Sequence, residues 1–379
     1  MSRVHLDHNA TTPLRPEARA ELLRATDALA GNPSSVHASG RAARAELDEA
    51  RERIAAALGV QGEELVFTSG GTEANNAALF GVAGPTTTLL VSAAEHSSVR
   101  EAAEVLRGAG RSVRTLAVDS EGRLDLGDLR AALGESSAGL LSSVGANNEL
   151  GTLAPFAAIR AVLDEAPAES RPLWHADCVQ MLGKVPVRPR ELGLDLATFS
   201  AHKVGGPLGV GILWRSAEAP LAPRMVGGGQ EGGLRSGTEN LPAIAAAAVA
   251  IELAVEEQAE YAARTRELTT ELWRGLHAAL PDALLLGPPI DSPDRLPNTL
   301  CVLLPGSDGR ILVPRLDLAG LELSAGSACS SGSIEPSPVL LALGHDEEAA
   351  RAALRLSLGR TTTQAEVRAA VSILGTTCG

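Results

Sequence analysis

Lysine is nearly absent from this sequence. The chain has 379 residues and 33 basic side chains, yet only Lys184 and Lys203 are lysines. Arginine supplies almost every other cation, so a lysine retained against this bias points to a need for an amine rather than for a charge. A primary amine can lose its proton and condense with a carbonyl group, whereas a guanidinium group cannot.

Aromatic residues and cysteines are also scarce. Phe, Tyr and Trp make up only 2% of the chain, so few flat rings are available to stack on a ligand. The four cysteines, Cys178, Cys301, Cys329 and Cys378, lie far apart, and no two of them form a CxxC pair. This pattern indicates neither a zinc cage nor a disulfide framework, and it predicts a reducing, cytoplasmic environment.

Basic runs and long hydrophobic runs are absent as well. The net charge is −13, and without a basic run a nucleic-acid partner is not expected. The most apolar stretch, residues 241–255, contains Glu252 and is shorter than a bilayer requires. It therefore predicts a buried alanine-rich helix and no membrane span. The first residues lack the apolar segment of a signal peptide.

Short apolar strands alternate with helical stretches over the middle of the chain. The alternation predicts an α/β fold, in which a mostly parallel sheet is sandwiched by helices and active groups gather at the loops that leave the strand ends. The strands are expected at residues 64–68, 88–92, 113–118, 138–144, 173–176, 197–199 and 209–214.

The last third of the chain predicts a second, smaller unit. Helix dominates residues 241–280, and strands and helices then follow in an α+β pattern. We assign residues 16–249 to the large domain. Residues 1–15 and 250–379 are assigned to the small domain.

Lys203 lies where a reactive amine would be delivered. It follows an apolar strand at residues 194–199, in a loop of Ser, His, Gly and Pro. Asp177 ends the preceding strand, 26 residues before Lys203. Lys184, in a Gly-Lys-Val-Pro turn, is interpreted as an ordinary surface residue.

The pair formed by Lys203 and Asp177 predicts a cofactor. Pyridoxal phosphate is held as a Schiff base to a lysine, with a carboxylate on its pyridinium nitrogen. Asp177 alone would be interpreted as a solvated loop residue. Together with Lys203, at the end of a neighbouring strand, it favours a pyridoxal-phosphate site.

Three loops add candidates, each with a plainer interpretation. Gly71 and Thr72 stand in a strand–glycine–helix turn that could hold a phosphate, although many such turns bind nothing. His96 could stack on a ring or simply cap a helix. Asn148 could hydrogen-bond a ring hydroxyl or a substrate carboxylate, although asparagine-rich turns are usually only turns.

The second half of the chain adds three more candidates. Thr238 lies in a glycine-dense stretch, residues 227–240, that is either a linker or a loop facing an anion. Cys329 is surrounded by nine small residues in residues 324–333, which predicts an exposed, mobile loop that presents a nucleophile. Arg355, on a strand, could clamp a carboxylate or form a structural ion pair. Cys178 and Cys301 are expected to be buried.

In combination, these stretches resemble the cysteine desulfurases of the class V aminotransferase family. The resemblance covers residues 6–360, and it is specific because the stretches recur in this order. The matching stretches are residues 7–13 (Asp-His-Asn-Ala-Thr-Thr-Pro), 31–35 (Gly-Asn-Pro-Ser-Ser), 67–73 (Phe-Thr-Ser-Gly-Gly-Thr-Glu), 95–96 (Glu-His), 147–149 (Asn-Asn-Glu), the strand of Asp177, 200–203 (Ser-Ala-His-Lys), 235–238 (Arg-Ser-Gly-Thr) and 327–329 (Ser-Ala-Cys).

The resemblance implies a type I pyridoxal-phosphate transferase fold and a role for each candidate. Lys203 would carry the cofactor, with Asp177 on its ring nitrogen, Gln180 and Asn148 near its ring oxygen and His96 stacked on its ring. The phosphate would be held by Gly71, Thr72, Ser200 and His202, and by Thr238 of a neighbouring subunit, which implies a homodimer. Asn148 and Arg355 would bind the substrate carboxylate, and Cys329 would accept sulfur and could transiently ligate an iron–sulfur cluster.

The implied activity is the removal of sulfur from L-cysteine, which gives L-alanine and a persulfide on Cys329. The sulfur would pass to an acceptor protein for iron–sulfur assembly or tRNA thiolation. The sequence departs from the family at Leu208, where a lysine is usual, and at Leu150 and Gly232. None of these departures removes a catalytic group.

Other interpretations stay open at this stage. A selenocysteine lyase or another class V aminotransferase would share most of the site, although a plain aminotransferase needs no thiol. A non-catalytic scaffold would not need to retain Lys203, Asp177, His96 and Cys329 together. A doubly wound nucleotide-binding protein is disfavoured because the turn at Gly71 lacks the GxGxxG spacing.

Overall fold

One large and one small sheet organise the chain. The computed structural model describes residues 3–28, 30–82, 87–135, 137–167, 170–325 and 335–378. In chain order, the elements up to the end of the large sheet are β1 (Val4–His5), α1 (Pro16–Ala28), α2 (Ala38–Leu58), β2 (Leu65–Thr68), α3 (Gly71–Val82), β3 (Thr88–Ser92), α4 (Ser97–Gly108), β4 (Val113–Leu116), α5 (Leu126–Glu135), β5 (Ala138–Val144), α6 (Phe156–Asp164), β6 (Leu173–Asp177), β7 (Leu196–Ser200) and β8 (Gly211–Arg215).

The large sheet has seven strands in the order β2-β8-β7-β6-β5-β3-β4. Strand β8 runs antiparallel to both of its neighbours, and the remaining pairs are parallel. The predicted mostly parallel sheet is therefore confirmed. Because β4 lies on one side of β3 and β5 on the other, the loops that leave β3 and β5 turn apart and open a crevice at the carboxyl edge.

Alternating side chains cover both faces of this sheet. On β3, Leu90 packs into one core together with residues of α2, α5, α6 and α7 (the helix Leu241–Glu256). Leu89 and Val91 pack into a second core with α3 and α4. Successive side chains of a strand point to opposite faces, so a run of apolar residues suits a sheet that is buried on both sides.

The small sheet is antiparallel, with the order β12 (Ser324–Ala325), β13 (Ala353–Ser357), β10 (Thr299–Leu303) and β9 (Leu284–Leu286). The first strand, β1, pairs in parallel with β11 (Leu321–Glu322), so the N-terminal segment joins the C-terminal part of the chain. The remaining elements in chain order are α7 (Leu241–Glu256), α8 (Gln258–Ala279), β9 (Leu284–Leu286), β10 (Thr299–Leu303), α9 (Gly309–Leu318), β11 (Leu321–Glu322), β12 (Ser324–Ala325), α10 (Pro338–Ala342), α11 (Glu347–Arg351), β13 (Ala353–Ser357) and α12 (Gln364–Cys378).

The helical stretch between the two sheets is divided. The expected run over residues 241–280 breaks at Glu257, which separates α7 from α8. Helix α7 packs into the core of the large sheet as far as Ala254, whereas α8 supplies Leu268 and Leu272 to the core of the small sheet. The domain boundaries at 15/16 and 249/250 stay predictions, and the second one falls inside α7.

In the described part of the chain, every helix is too short or too polar to cross a membrane.

A buried ion pair anchors the glycine-dense stretch to the large sheet. The Arg51 guanidinium donates to both carboxylate oxygens of Glu231, at 2.6 and 3.1 Å. The backbone N–H of Phe67, on β2, donates to the same carboxylate at 2.8 Å. The Glu231 side chain is 1% exposed and that of Arg51 13% exposed, so residues 227–240 are not a loose linker.

The variant Glu231→Gln should lower the free energy of unfolding by about 3 kcal/mol, because it leaves the buried Arg51 charge without a counter-ion. Chemical denaturation of the apoprotein measures this change. The control is Glu165→Gln, which breaks the exposed Arg130–Glu165 pair and should cost less than about 1 kcal/mol. Equal costs for the two variants would contradict this account of the anchor.

Candidate active site

A cleft of ≈ 320 Å³ opens at the carboxyl edge of the large sheet. Its walls bring together ten of the residues that were predicted from the sequence, although they are distant in the chain. These residues are Gly71, Thr72, His96, Asn148, Asp177, Gln180, Ser200, His202, Lys203 and Arg355.

Neighbouring parallel strands deliver Asp177 and Lys203 to this cleft. Asp177 is the last residue of β6 and pairs in register with Thr198 of β7. Strand β7 ends at Ser200, and a short 3₁₀ turn, Ala201–Lys203, carries the lysine. The Lys203 Nζ donates to the backbone carbonyls of Asn9 at 2.6 Å and Ala10 at 2.7 Å.

The Asp177 carboxylate is buried, and its orientation is set by two donors. Oδ2 accepts from the Asn75 side-chain amide at 2.7 Å, and Oδ1 accepts from the backbone N–H of Val179 at 3.0 Å. The Asn75 amide also donates to the Ser98 hydroxyl at 2.8 Å. Sequence reasoning missed Asn75; the available signal was an asparagine on the inner face of a helix that otherwise buries alanine and leucine.

His96 caps α4 and lines the cleft at the same time. Its Nδ1 accepts from the backbone N–H of Ser98 at 3.2 Å and lies 2.7 Å from the Ser98 hydroxyl. An N-cap contact of this kind holds the imidazole in one orientation. The two interpretations of His96 from the sequence are therefore compatible, because a ring fixed by capping is also one that can stack.

The glycine turn places the N-terminus of α3 at one end of the cleft. A Cβ on Gly211 of β8 would lie 2.3 Å from the Gly70 carbonyl carbon, so the turn can cross the strand only at a glycine. Helix α3 begins at Gly71, and its N–H groups face the end of the cleft where Ser200 lies. The Ser200 hydroxyl is buried and has no hydrogen-bond partner in the described part of the protein.

His202 contributes a neutral imidazole to the same end of the cleft. Burial, followed by the positive charges of Lys203 and Lys184, lowers the pKa of His202 to about 4. Its Nδ1 lies 3.1 Å from the Thr11 hydroxyl. A neutral imidazole with one donor nitrogen and one acceptor nitrogen can still hydrogen-bond an anion.

Arg355 forms a structural ion pair and still lines the cleft. Its Nη2 donates to Asp7 Oδ1 at 2.6 Å and to the Ser324 hydroxyl at 3.0 Å. Its Nε is buried and has no hydrogen-bond partner among the described residues. Arg355 is 1% exposed, so its charge is held rigidly beside Asn148, which lines the same cleft.

The expectation for Lys184 is wrong. Lys184 is 2% exposed, and its Nζ donates to the side-chain oxygens of Asn9, at 3.0 Å, and Gln180. The turn looked polar in the sequence, but residues far away in the chain close over it. Burial, followed by the positive charges of Lys203 and Arg355, lowers the pKa of Lys184 well below its ordinary value.

Two predicted site residues are not placed in the cleft. Thr238 is exposed and does not line it, and Arg235, in the same stretch, pairs with Glu73 in the first turn of α3 at 2.8 Å. Cys329 lies outside the described residues, which stop at Ala325 and resume at Glu335. Cys178 and Cys301 are buried, as expected.

Two buried carboxyl groups lie behind the cleft. Burial, together with the negative charge of Asp177, raises the pKa of Glu95 well above its ordinary value. Burial also raises the pKa of Glu149 to about 7, although the Ser337 hydroxyl, 2.5 Å from Oε2, opposes this shift. The raised pKa of Glu95 disfavours a second negative charge beside Asp177 at the base of the cleft.

A lysine and a buried carboxylate at the ends of adjacent parallel strands, beside a helix N-terminus with an unpartnered hydroxyl, define a pyridoxal-phosphate enzyme of the type I fold. The chain belongs to the class-V aminotransferase family, whose model matches residues 4–370. The predicted fold, enzyme class and cofactor are thereby confirmed.

Similar proteins cover nearly the whole chain. A protein named cysteine desulfurase IscS, from Dictyoglomus turgidum (strain DSM 6724 / Z-1310), is 40% identical over 98% of this chain and 93% of its own length. The solved structure of a NifS-like protein has a TM-score of 0.90 and 35% identity, and the match covers 99% of this chain and 98% of that one. A structure named SspA in complex with cysteine has a TM-score of 0.78 and 29% identity, over 93% of this chain and 98% of that one.

The variant Gly211→Ala should move the glycine turn away from β8 and weaken the phosphate end of the site. We expect a loss of about 1–3 kcal/mol in stability, as for other overpacked positions, and a lower affinity for pyridoxal phosphate. Denaturation and absorbance titration measure the two effects. The control is Gly134→Ala in helix α5, where an added Cβ meets no atom within 4 Å; it should leave the cofactor affinity unchanged and raise stability by at most about 1 kcal/mol. Wild-type cofactor affinity in Gly211→Ala would refute the argument.

Glu149 should make stability depend on pH. Its pKa is about 7 in the folded protein against an ordinary 4.5, so its contribution is complete below pH 4.5 and is lost as the pH rises through 7. Relative to Glu149→Gln, the wild type should lose about 2–3 kcal/mol of stability between pH 5 and 8. Denaturation across this range tests it, with Glu165→Gln as the exposed control. Parallel stability curves for wild type and Glu149→Gln would contradict it.

Proposed function

We propose that this protein is a cysteine desulfurase that moves sulfur from L-cysteine to Cys329. The Cys329 thiolate attacks the substrate sulfur, so an S–S bond forms as the Cβ–S bond breaks. The electron pair of the broken bond stays with the carbon skeleton, which takes up a proton and leaves as L-alanine. Cysteine plus enzyme thiol thus gives alanine plus enzyme persulfide, and the step needs no external oxidant or reductant.

The cleft itself carries this proposal, because its residues fit both pyridoxal phosphate and an amino acid. When bound, the cofactor supplies an electron-withdrawing ring that makes the α carbon of an attached amino acid acidic. Lys203 would bind its carbonyl carbon and Asp177 its ring nitrogen. His96 would stack on the ring, with Gln180 and Asn148 near the ring oxygen. Gly71, Thr72, Ser200 and His202 would hold the phosphate, and the unpartnered Ser200 hydroxyl supports that placement.

Asn148 and Arg355 would orient the substrate by its carboxylate. Arg355 is held by Asp7 and Ser324 but retains a buried Nε without a partner, which is the kind of donor that a carboxylate satisfies. Lys203, once it releases the cofactor, would be the base that moves the α proton. The cysteine complex of SspA supports L-cysteine as the substrate.

Cys329 is assigned as the nucleophile by its place in the sequence and by elimination. Burial raises the pKa of Cys301 to about 12, and it raises the pKa of Cys178 and Cys378 as well, so these thiols are poor sources of thiolate. Ala325 is on β12, which pairs with the strand of Arg355.

We also propose that the protein acts as a homodimer and passes its sulfur to an acceptor protein in the cytoplasm. Thr238 is exposed, and so are Val36 and Val226, at 88% and 80%. Ser34 and Gly228, each two residues from one of these valines, line a single surface groove. A partner subunit that covers this groove would bury both valines. In such a dimer, Thr238 of each subunit would approach the phosphate site of the other subunit. Light scattering of the purified protein tests the dimer.

The test is to mix the purified holoenzyme with L-cysteine and measure alanine and persulfide. Wild type should form both products, whereas Cys329→Ala should retain the cofactor spectrum and form alanine at less than about 1% of the wild-type rate. Lys203→Ala should lose both the covalent cofactor linkage and the activity.

A control separates the thiol from the fold. Cys378→Ala, near the end of α12, should be fully active because its thiol is remote from the cleft. Undiminished alanine formation by Cys329→Ala would refute the role of Cys329. Failure of the wild-type protein to bind pyridoxal phosphate would refute the function altogether.

A further inference from the structure

Lys184 has no role in the reaction described above, yet it is one of only two lysines in the chain. It lies in the turn after β6, beneath Gln180, and also lines a second cavity beside Lys203 and Tyr261. In the described part of the chain, it has no carboxylate partner among its hydrogen bonds. Burying a lysine side chain is costly, so a lysine at such a position implies a specific use for the hydrogen bonds that its amine donates.

The contacts of the Lys184 amine determine the orientation of the Gln180 amide. Lys184 Nζ donates to Gln180 Oε1 as well as to Asn9 Oδ1, so the oxygen of the Gln180 amide faces the lysine. The NH₂ end is thereby turned away from Lys184, and one of its N–H groups donates to the Asn9 carbonyl at 3.0 Å. Gln180 also lines the cofactor cleft, so its second N–H is the group available to a ligand.

We propose that Lys184 is a positioning residue that fixes the polarity of Gln180, so that Gln180 acts as a hydrogen-bond donor toward the cofactor ring oxygen. This inference rests on the proposed function, because it takes the ligand of the cleft to be pyridoxal phosphate. If Gln180 can only donate at this position, it favours the ionised form of the ring oxygen over the protonated hydroxyl. The ionised oxygen only accepts hydrogen bonds, whereas the hydroxyl also has a proton to donate.

Lys184 should influence cofactor binding through Gln180 and not through the Asn9 turn. Asn9 Oδ1 accepts from Lys184, but it also accepts from the Asn298 amide at 3.2 Å. The Asn9 amide nitrogen donates to the Thr299 hydroxyl at 2.9 Å. Asn9 therefore keeps its position when Lys184 is removed, whereas no other donor to Gln180 Oε1 is seen among the described residues.

A double-mutant cycle tests the proposal. Lys184→Met, measured by absorbance titration of the apoprotein with pyridoxal phosphate, should weaken cofactor binding about tenfold, the value of one hydrogen bond to a charged group. In a Gln180→Ala background the same change should alter affinity less than about twofold, because no amide remains to be oriented. Both single variants should also shift the visible absorption maximum of the bound cofactor in the same direction.

The control is Arg188→Met, which removes a half-exposed cation from the segment that connects β6 to β7, where Lys184 also lies. It should leave the cofactor affinity and the absorption maximum at wild-type values. If Lys184→Met does not fold, Gln180→Glu replaces it. The glutamate keeps a partner for Lys184 but has no N–H, so it should weaken binding about as much as Gln180→Ala.

Each outcome decides the proposal. An equal loss on Lys184→Met in both backgrounds, an unshifted absorption maximum in Lys184→Met, or wild-type affinity in Gln180→Glu would overturn it. If the wild-type protein fails to take up pyridoxal phosphate, the proposed function fails. If wild type binds the cofactor normally and only the cycle shows no coupling, the role of Lys184 alone is wrong.

Discussion

The cleft depends on one turn of backbone at Asn9, near the start of the chain. The Asn9 carbonyl accepts from both Lys203, at 2.6 Å, and Gln180, at 3.0 Å, while its side chain bonds Lys184 and Asn298. Asn9 is 1% exposed, so these bonds compete little with water and are correspondingly strong. The backbone N–H of Asn9 also donates to the hydroxyl of Ser357, on β13, at 2.8 Å, so this turn fastens the small sheet to the reactive amine of the large one.

The parts of the site that local sequence determines could be predicted. A strand followed by a carboxylate, a strand followed by a lysine and a glycine turn before a helix are each encoded within a few residues. The parallel register of β6 and β7 then brings Asp177 and the lysine turn to the same edge. The fold class follows from the same alternation of elements, because a parallel sheet requires a crossover between successive strands.

The parts that depend on distant contacts could not be predicted. Lys184 follows a glycine and precedes a proline, which is an ordinary surface context, and only contacts with Asn9 and Gln180 bury it. Arg355 offered two interpretations, and the choice depended on Asp7, which is 348 residues away in the chain. Asn75 is an unremarkable helical asparagine until β6 brings Asp177 within 2.7 Å of it. In each case the deciding partner is a polar group that gives no periodic signal.

The charge of the cleft is opposite to that of the protein as a whole. The chain carries −13, yet Lys203 and Arg355 are fixed in the cleft walls, with Lys184 behind them. Asp177 lies at the base of the cleft, and burial together with the charge of Asp177 raises the pKa of the neighbouring Glu95, which disfavours a second negative charge there. A phosphate or carboxylate therefore meets positive charge in the cleft, where low-dielectric walls strengthen the field. This contrast favours binding of a substrate carboxylate or a cofactor phosphate there over binding elsewhere on an acidic surface, and it explains why a protein so poor in lysine places both of its lysines at one site.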